Sequence, residues 1–226
     1  MLNLYNYFES RPYWNYFSVD GVFMRKTVKI ILLAVSICSM FGFVNLIRDK
    51  QMLKNNLVRL HVVANSDTEL DQGVKIKVKD RITAYLWENM QHIDTIEQAK
   101  AYLQENLNQM EQVACVVLAE NNVSERVKIS FKKEAFDKRV YDTFSLPSGV
   151  YQSLRIEIGD ANGKNWWCVV FPTLCLPATG SEFRDTAVSS GFDKDLTSTL
   201  AVDKGYEIRF FLLDCLGKIE NFFSLE

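Results

Sequence analysis

The chain has 226 residues, of which 48% are hydrophobic and 24% charged, so it can build one domain with a substantial core. Its formal net charge of −2 gives no reason to expect nucleic acid or another polyanion as a partner. With 4 prolines and 10 glycines, the sequence leaves no room for a long low-complexity linker.

The first element in chain order is an apolar segment with a basic flank. Residues 24–29 contain three basic side chains, and residues 30–47 are almost uncharged. A run of about 18 apolar residues is just long enough to span a bilayer. The basic flank keeps the N-terminus cytoplasmic and sends the rest across the membrane. Residues 24–50 are therefore predicted to be a signal peptide or a transmembrane anchor, and residues 51–226 an exported single domain.

The residues before this segment show no regular pattern. Residues 1–23 are rich in aromatic side chains but have no clean period. We expect translation to begin at Met24, which would make residues 1–23 an extension from a mis-assigned start. With Met1 as the start, they would form a short cytoplasmic tail.

A strand and a helix open the exported part. The apolar, β-branched run 57–64 predicts a strand. Ser66 lies three residues before Glu69, which matches a capping box and predicts a helix from near Thr68. Its predicted apolar positions are Leu70, Val74, Val78, Ile82, Tyr85 and Leu86. Its predicted polar face carries Lys75, Lys79, Asp80 and Glu88.

A second amphipathic helix and a set of strands follow. Asp94 and Thr95, with Gln98, predict the start of a helix that ends at Asn121 and Asn122. Period-two alternation then predicts strands at 127–131, more weakly at 140–144, at 154–158, at 165–171 and at 206–210.

The connections between these strands complete the prediction. Residues 146–149 predict a turn, and residues 159–163 predict a hairpin loop that joins the strands on either side. The polar stretch 179–204 is expected to be irregular, and a short helix could close the chain. The order predicts an α+β fold: a signal or anchor helix, a strand, two amphipathic helices and a mostly antiparallel sheet.

The cysteines allow several kinds of chemistry. Cys168 could act as a nucleophile with His61 and an orienting Asn or Asp, but burial on a strand usually raises the pKa of a thiol and leaves it inert. Export favours a disulfide between Cys168 and Cys175, across Phe171 and Pro172. Two more cysteines, Cys115 and Cys215, could pair with each other or stay free.

Other site chemistry has little support. The two histidines, His61 and His92, have no metal-ligand spacing to the cysteines, so no metal or cofactor is predicted. Phosphate-cradling and hydrolase motifs are missing. Asn65, Ser66 and Asp67 concentrate polar groups where the first predicted strand meets its helix. Helix capping alone explains these residue types, while a functional interpretation adds that the junction exposes polar groups at a sheet edge.

Two sequence blocks carry a resemblance to a known family. They are LHVVANSDTELDQGVKIKVKDRI and PSGVYQSLRIEIGDANGKNWWCVVFPTLC. With their H-V-x-A-N-S-D, P-x-G-x-Y and G-x-N-W-W-C motifs, they strongly resemble the stage II sporulation protein R family of endospore-forming bacteria. The resemblance extends over residues 57–176.

The resemblance implies a signalling role. Such a protein is made in the forespore and exported into the intermembrane space, where it would be secreted or membrane-anchored. There it activates a membrane-embedded aspartic protease of the mother cell, of the stage II sporulation protein GA type. That protease then processes an inactive early mother-cell sigma factor precursor. The chain itself would be no enzyme and would bind no small-molecule substrate or nucleic acid.

A docking surface and two rival functions complete the expectations. The residues expected to contact the protease are His61, Asn65, Ser66, Asp67, Asp71, Gln72, Asn165 and Trp166. The rival from another class is an exported thiol hydrolase that uses Cys168 and His61. A passive wall-associated module is a third interpretation.

Overall fold

The computed structural model describes residues 21–172, 180–201 and 208–224. Helix α1, Gly21–Asn56, contains the predicted apolar segment. Within the described residues it is the helix that is long and apolar enough to cross a membrane. The chain divides into two compact units, Met1–Asn45 and Leu46–Glu226. The last turns of α1 therefore belong to the second unit, which also contains the sheet.

A four-stranded sheet organises the second unit. Its strands are β1 (Val58–Val63), β2 (Val127–Phe136), β5 (Gly149–Ile158) and β6 (Asn165–Phe171), in the order β2-β5-β1-β6. β1 runs parallel to β5 and antiparallel to β6, and β2 runs antiparallel to β5. Every residue of β1 is buried, including the polar Arg59 and His61, because both faces of this strand are covered.

Two short strands and the chain order of the sheet differ from prediction. β3 (Arg139–Val140) and β4 (Ser145–Leu146) pair with each other where the weak strand 140–144 was expected. The predicted hairpin of β5 and β6 is wrong, because β1 lies between them and pairs with both. β1 is buried on both faces and takes a central position, so the connection 159–164 has to cross over the end of β1.

Helices cover both faces of the sheet. One face packs against α2 (Glu69–Asn89), α3 (Ile96–Glu105) and α4 (Leu107–Glu120). The other packs against the end of α1, α5 (Gly180–Ser189), α6 (Lys194–Leu200) and α7 (Ile208–Ser224). Strand side chains in the first core are Val58, Leu60, Val62, Ile129, Leu154, Ile156, Ile158, Cys168, Val170 and Phe171. Those in the second core include Tyr151, Trp167 and Val169.

The two predicted helices are present with different details. The side chain of Thr68, and not of Ser66, caps α2 by accepting a hydrogen bond from the backbone N–H of Asp71. Leu70 is exposed and Lys75 is buried, the reverse of the predicted faces. The capping box of Thr95 and Gln98 is confirmed at the start of α3. The single helix expected after it is broken at Asn106, which ends α3 and precedes α4.

The C-terminal region is helical where an irregular stretch and a strand were expected. Helices α5 and α6 occupy much of the polar stretch 179–204, and α7 begins at Ile208. The buried residues of α7 are Phe210, Leu213, Asp214 and Gly217, a helical spacing that extends well beyond the short alternation read as a strand. Residues 202–207, the start of the predicted last strand, lie outside the described residues. The predicted α+β class is confirmed, with a mostly antiparallel sheet.

Candidate functional site

The turn after β1 and the loop after β5 meet at one end of the sheet. The backbone N–H of Gly163 donates to the carbonyl of Ala64 at 2.9 Å, and that of Asn162 donates to the carbonyl of Asn65 at 3.1 Å. We call residues 64–72 and 159–166 the clasp. The crossing of the loop over β1 therefore joins the two sequence blocks, which are far apart in the chain.

Polar side chains reinforce the clasp. Oδ1 of Asn65 accepts from the N–H of Asp160 at 3.0 Å, and Nδ2 of Asn65 donates to Asp71 at 3.0 Å. Oδ1 of Asp67 accepts from the N–H of Lys164 at 2.7 Å. The hydroxyl of Ser66 donates to Asp71 at 2.5 Å, and this bond lowers the pKa of the Asp71 carboxyl against the opposing effect of burial. These side chains hold the turn and the loop together.

A buried lysine closes the inner side of the clasp. Nζ of Lys75 donates to Oε1 of Gln72 at 2.6 Å and to the carbonyl of Lys164 at 2.9 Å. Burial lowers the pKa of Lys75, and the nearby charge of Asp67 acts against that effect. Sequence reasoning missed this residue. Its position three residues after Gln72, on the same side of α2, was the signal that could have found it.

Two glycines allow the close approach of the loop. Gly159 has a φ of +58°, and a Cβ there would lie 2.2 Å from Oδ1 of Asn65. A Cβ on Gly163 would lie 2.2 Å from the backbone carbonyl oxygen of Ser66. Real Cβ atoms do not approach other atoms so closely, so a side chain at either position has to displace the clasp.

The outer edge of the clasp faces solvent. Asp67, Asn165 and Trp166 are exposed, with 38% of Trp166 accessible. Nζ of Lys79 lies 4.9 Å from the centre of the Trp166 ring, which orients the indole by a cation–π contact. Of the residues predicted to contact a partner, these three are the most accessible. Asn65, Ser66, Asp71 and Gln72 are only partly exposed, and their side chains bond within the clasp.

His61 lies apart from the clasp, in a charged cluster on the α7 side of the sheet. Its Nδ1 is 3.4 Å from Oε2 of Glu134 and 3.2 Å from Nη1 of Arg155. The imidazole stacks on the ring of Trp167 with 3.8 Å between centroids. His61 is buried, so its side chain is not presented at the surface.

The same cluster controls the ionisation of Glu134. Burial acts to raise the pKa of Glu134, but hydrogen bonding to His61 and Arg155 outweighs it and lowers the pKa to about 2. Glu134 and Arg155 were not singled out from the sequence, because charged residues on strands are ordinarily assigned to the solvent-facing side.

The structure separates the two residues of the proposed thiol mechanism. Cys168 lies opposite Leu60 and belongs to the core beneath α2, whereas His61 lies opposite Trp167 on the other face. Cys168 is moreover disulfide-bonded, so it has no free thiolate. The alternative function as a thiol hydrolase that uses this pair is therefore wrong.

Three of the cysteines carry free thiols. Cys38, Cys115 and Cys215 are free, so Cys115 and Cys215 do not pair with each other. Cys175, the predicted partner of Cys168, lies outside the described residues, and that pairing stays a prediction. Among the described residues no cluster of three or more His, Cys, Asp or Glu side chains could hold a metal ion.

Comparison with known proteins identifies the family. The sequence profile described as Stage II sporulation protein R matches residues 54–180, more than half of the chain. The chain belongs to the stage II sporulation protein R family. Stage II sporulation protein R of Bacillus subtilis is 28% identical over 125 residues, which cover 55% of this chain and 56% of that protein. The match thus spans about half the length of this curated relative. No solved structure matches the chain.

The region that matches the family corresponds to a defined part of the fold. Residues 54–180 contain the whole four-stranded sheet, helices α2 to α4 and both sides of the clasp. The apolar part of α1 and the C-terminal helix α7 lie outside it.

Proposed function

We propose that this protein is an exported sporulation signal that activates a membrane-embedded aspartic protease of the mother cell, of the stage II sporulation protein GA type. The activated protease removes the pro-sequence of an inactive early mother-cell sigma factor. In this proposal the chain is a ligand and the partner supplies the catalytic groups. Membership of the family supports a sporulation role.

The clasp is the observation that carries the proposal, as the docking surface for the protease. Its hydrogen bonds hold the outer edge in place before any partner binds, so little conformational entropy is lost on docking. An exposed tryptophan held by Lys79 is the type of residue that dominates binding energy at interfaces. We therefore propose that Asp67, Asn165 and Trp166 contact the protease.

Two further features support export. The apolar part of α1 has the length and composition of a signal anchor. Cys168 is disulfide-bonded, and disulfides persist mainly outside the reducing cytoplasm. Both fit a protein that leaves the forespore and works in the space between the two membranes.

The docking surface is tested by replacing Trp166 in a sporulating host that lacks its own stage II R protein. Full-length chain with Trp166→Ala should reduce sigma factor processing on an immunoblot by about tenfold or more, as expected for loss of a central interface residue. The matched control is Trp87→Ala, because Trp87 is also exposed and lies near the opposite end of α2. Normal processing with both Trp166→Ala and Asn165→Ala, in a folded protein, would refute the docking surface.

The activator role is tested by co-reconstitution. The full chain, the membrane protease and the sigma factor precursor are combined in vesicles, with each protein omitted in turn. Processing should require both the chain and the protease. Processing by the chain without the protease would show that the chain is itself the enzyme and would overturn the proposal.

A further inference from the structure

Helix α7 has a second apolar face that the protein does not bury. Phe210, Leu213 and Gly217 pack inward, at helical spacing. The exposed apolar side chains lie on the other side: Ile208, Leu212, Ile219, Phe222 and Phe223, the last two each 69% accessible. Single exposed apolar residues are common, but a helix that is apolar on both faces is typical of one covered by the protein on one side and by another apolar phase on the other.

Polar contacts fix α7 to the end of α1. Arg209 lies near the start of α7, and its Nη2 is 2.6 Å from Oδ2 of Asp49 in α1. Further along, Nζ of Lys50 donates to the carbonyl of Leu216 at 2.9 Å and lies 3.0 Å from Oε2 of Glu220. The helix is therefore attached at several points to residues 49 and 50.

The sequence pattern indicates where residues 48–50 lie relative to a bilayer. The almost uncharged run 30–47 ends immediately before Arg48, Asp49 and Lys50, the first charged residues after it. When that run spans a membrane, these charges lie at the boundary between hydrocarbon and water, because charged side chains are costly in the hydrocarbon. The contacts of Asp49 and Lys50 then bring α7 to the same boundary.

We propose that the exposed face of α7 lies in the interfacial layer of the lipid bilayer that the apolar segment of α1 enters. The attached anchor makes this second contact intramolecular, so a small apolar area is sufficient. Lys218, whose side chain is 65% exposed and whose Nζ lies 3.1 Å from Oδ2 of Asp214, borders this face next to Ile219. This inference concerns the attachment of the chain and does not depend on its activity as a signal.

Bromolipid quenching tests the proposal on the full chain. The protein is reconstituted in vesicles of phosphatidylcholine and phosphatidylglycerol whose acyl chains carry bromine near the glycerol end. Fluorescence is compared between wild type and Phe222→Trp, so that the difference reports the new indole. We expect about half or more of this added fluorescence to be quenched. The matched control is Leu70→Trp, because Leu70 is an exposed apolar residue of α2, on the opposite side of the sheet. Its added fluorescence should not be quenched.

Two outcomes would overturn the inference. One is equal quenching of the indoles in Phe222→Trp and Leu70→Trp, with unchanged circular dichroism. The other is an unquenched Phe222→Trp while Leu33→Trp, within the apolar segment, is quenched by bromine near the methyl end of the acyl chains. In that second case, two chains found together in single nanodiscs would show that a second copy, and not lipid, packs against the exposed apolar face of α7.

Discussion

Replacing Gly163 with alanine should separate the two sides of the clasp. The added Cβ would lie 2.2 Å from the carbonyl oxygen of Ser66 and 3.0 Å from Cβ of Ala64. Ordinary contacts begin near 3.4 Å, so the loop has to move by about 1 Å from a backbone atom that cannot rotate away. When the loop moves, the hydrogen bonds that join it to the turn after β1 are lost.

The magnitude follows from the hydrogen bonds lost. The bond from the N–H of Gly163 to Ala64, at 2.9 Å, contributes about 0.5–1.5 kcal/mol. The bond from the N–H of Lys164 to the Asp67 carboxylate, at 2.7 Å, contributes about 1.5–3 kcal/mol because one partner is charged. We expect Gly163→Ala to lower the free energy of unfolding by about 3 kcal/mol.

The assay is urea unfolding followed by far-ultraviolet circular dichroism, with the full chain in a mild nonionic detergent. Gly73→Ala is the matched control, because a Cβ at this helical position meets nothing within 4 Å. It should raise the stability by about 0.5–1 kcal/mol, as alanine does in a helix interior. If Gly163→Ala unfolds within about 0.5 kcal/mol of wild type, the reasoning about the clasp is refuted.

Three further predictions concern the other face of the sheet. In Glu134, the folded pKa of about 2 lies below the ordinary value of 4.5, so the carboxylate stabilises the fold above pH 4.5 and this contribution disappears as the pH falls towards 2. The free energy of unfolding in urea should therefore vary with pH by up to about 3 kcal/mol less in Glu134→Gln than in wild type. Identical pH profiles of stability in the two proteins would contradict the role of the cluster. Gly217→Ala should destabilise by about 3 kcal/mol, since its Cβ would lie 1.5 Å from the carbonyl oxygen of Ser148; a melting temperature equal to that of Gly73→Ala would show that α7 is not in contact there. Asp214→Ala should cost about 1–3 kcal/mol in thermal unfolding by leaving the buried N–H of Ser148, now 2.9 Å from Oδ1 of Asp214, without an acceptor; an unchanged melting temperature would argue against this bond.

Much of the first half of the fold was predictable because its apolar residues recur at regular spacing. The order of strand, helix, helix and strands came from regular apolar spacing, and Thr95 with Gln98 marked a helix start correctly. Which strands pair with each other in the sheet was not predictable. Strands β5 and β6 are close in sequence and favour a hairpin, but β1, which is buried on both faces, lies between them and pairs with both.

Errors at the site and at α7 arose from assigning residues by type. A lysine on a helix is usually exposed, yet Lys75 is buried because Gln72 and the carbonyl of Lys164 accept its hydrogen bonds. The polar residues of the clasp were recognised, but their contact with the loop 159–164 depends on the crossing over β1. In α7, a few alternating residues resemble a strand as well as a helix, and only the buried spacing through Gly217 decides between them.

The central position of β1 also determines when this protein can finish folding. His61 and Arg155, neighbours on adjacent strands, are 94 residues apart in the chain. A chain that crosses a membrane from its N-terminus would deliver β1 long before either of the strands that pair with it. β1 would wait with unpaired backbone groups on both edges, which slows folding and favours transient binding by a chaperone. The protein would then reach its native sheet only after residue 171 has emerged, and folding of an exported chain would be tied to its translocation.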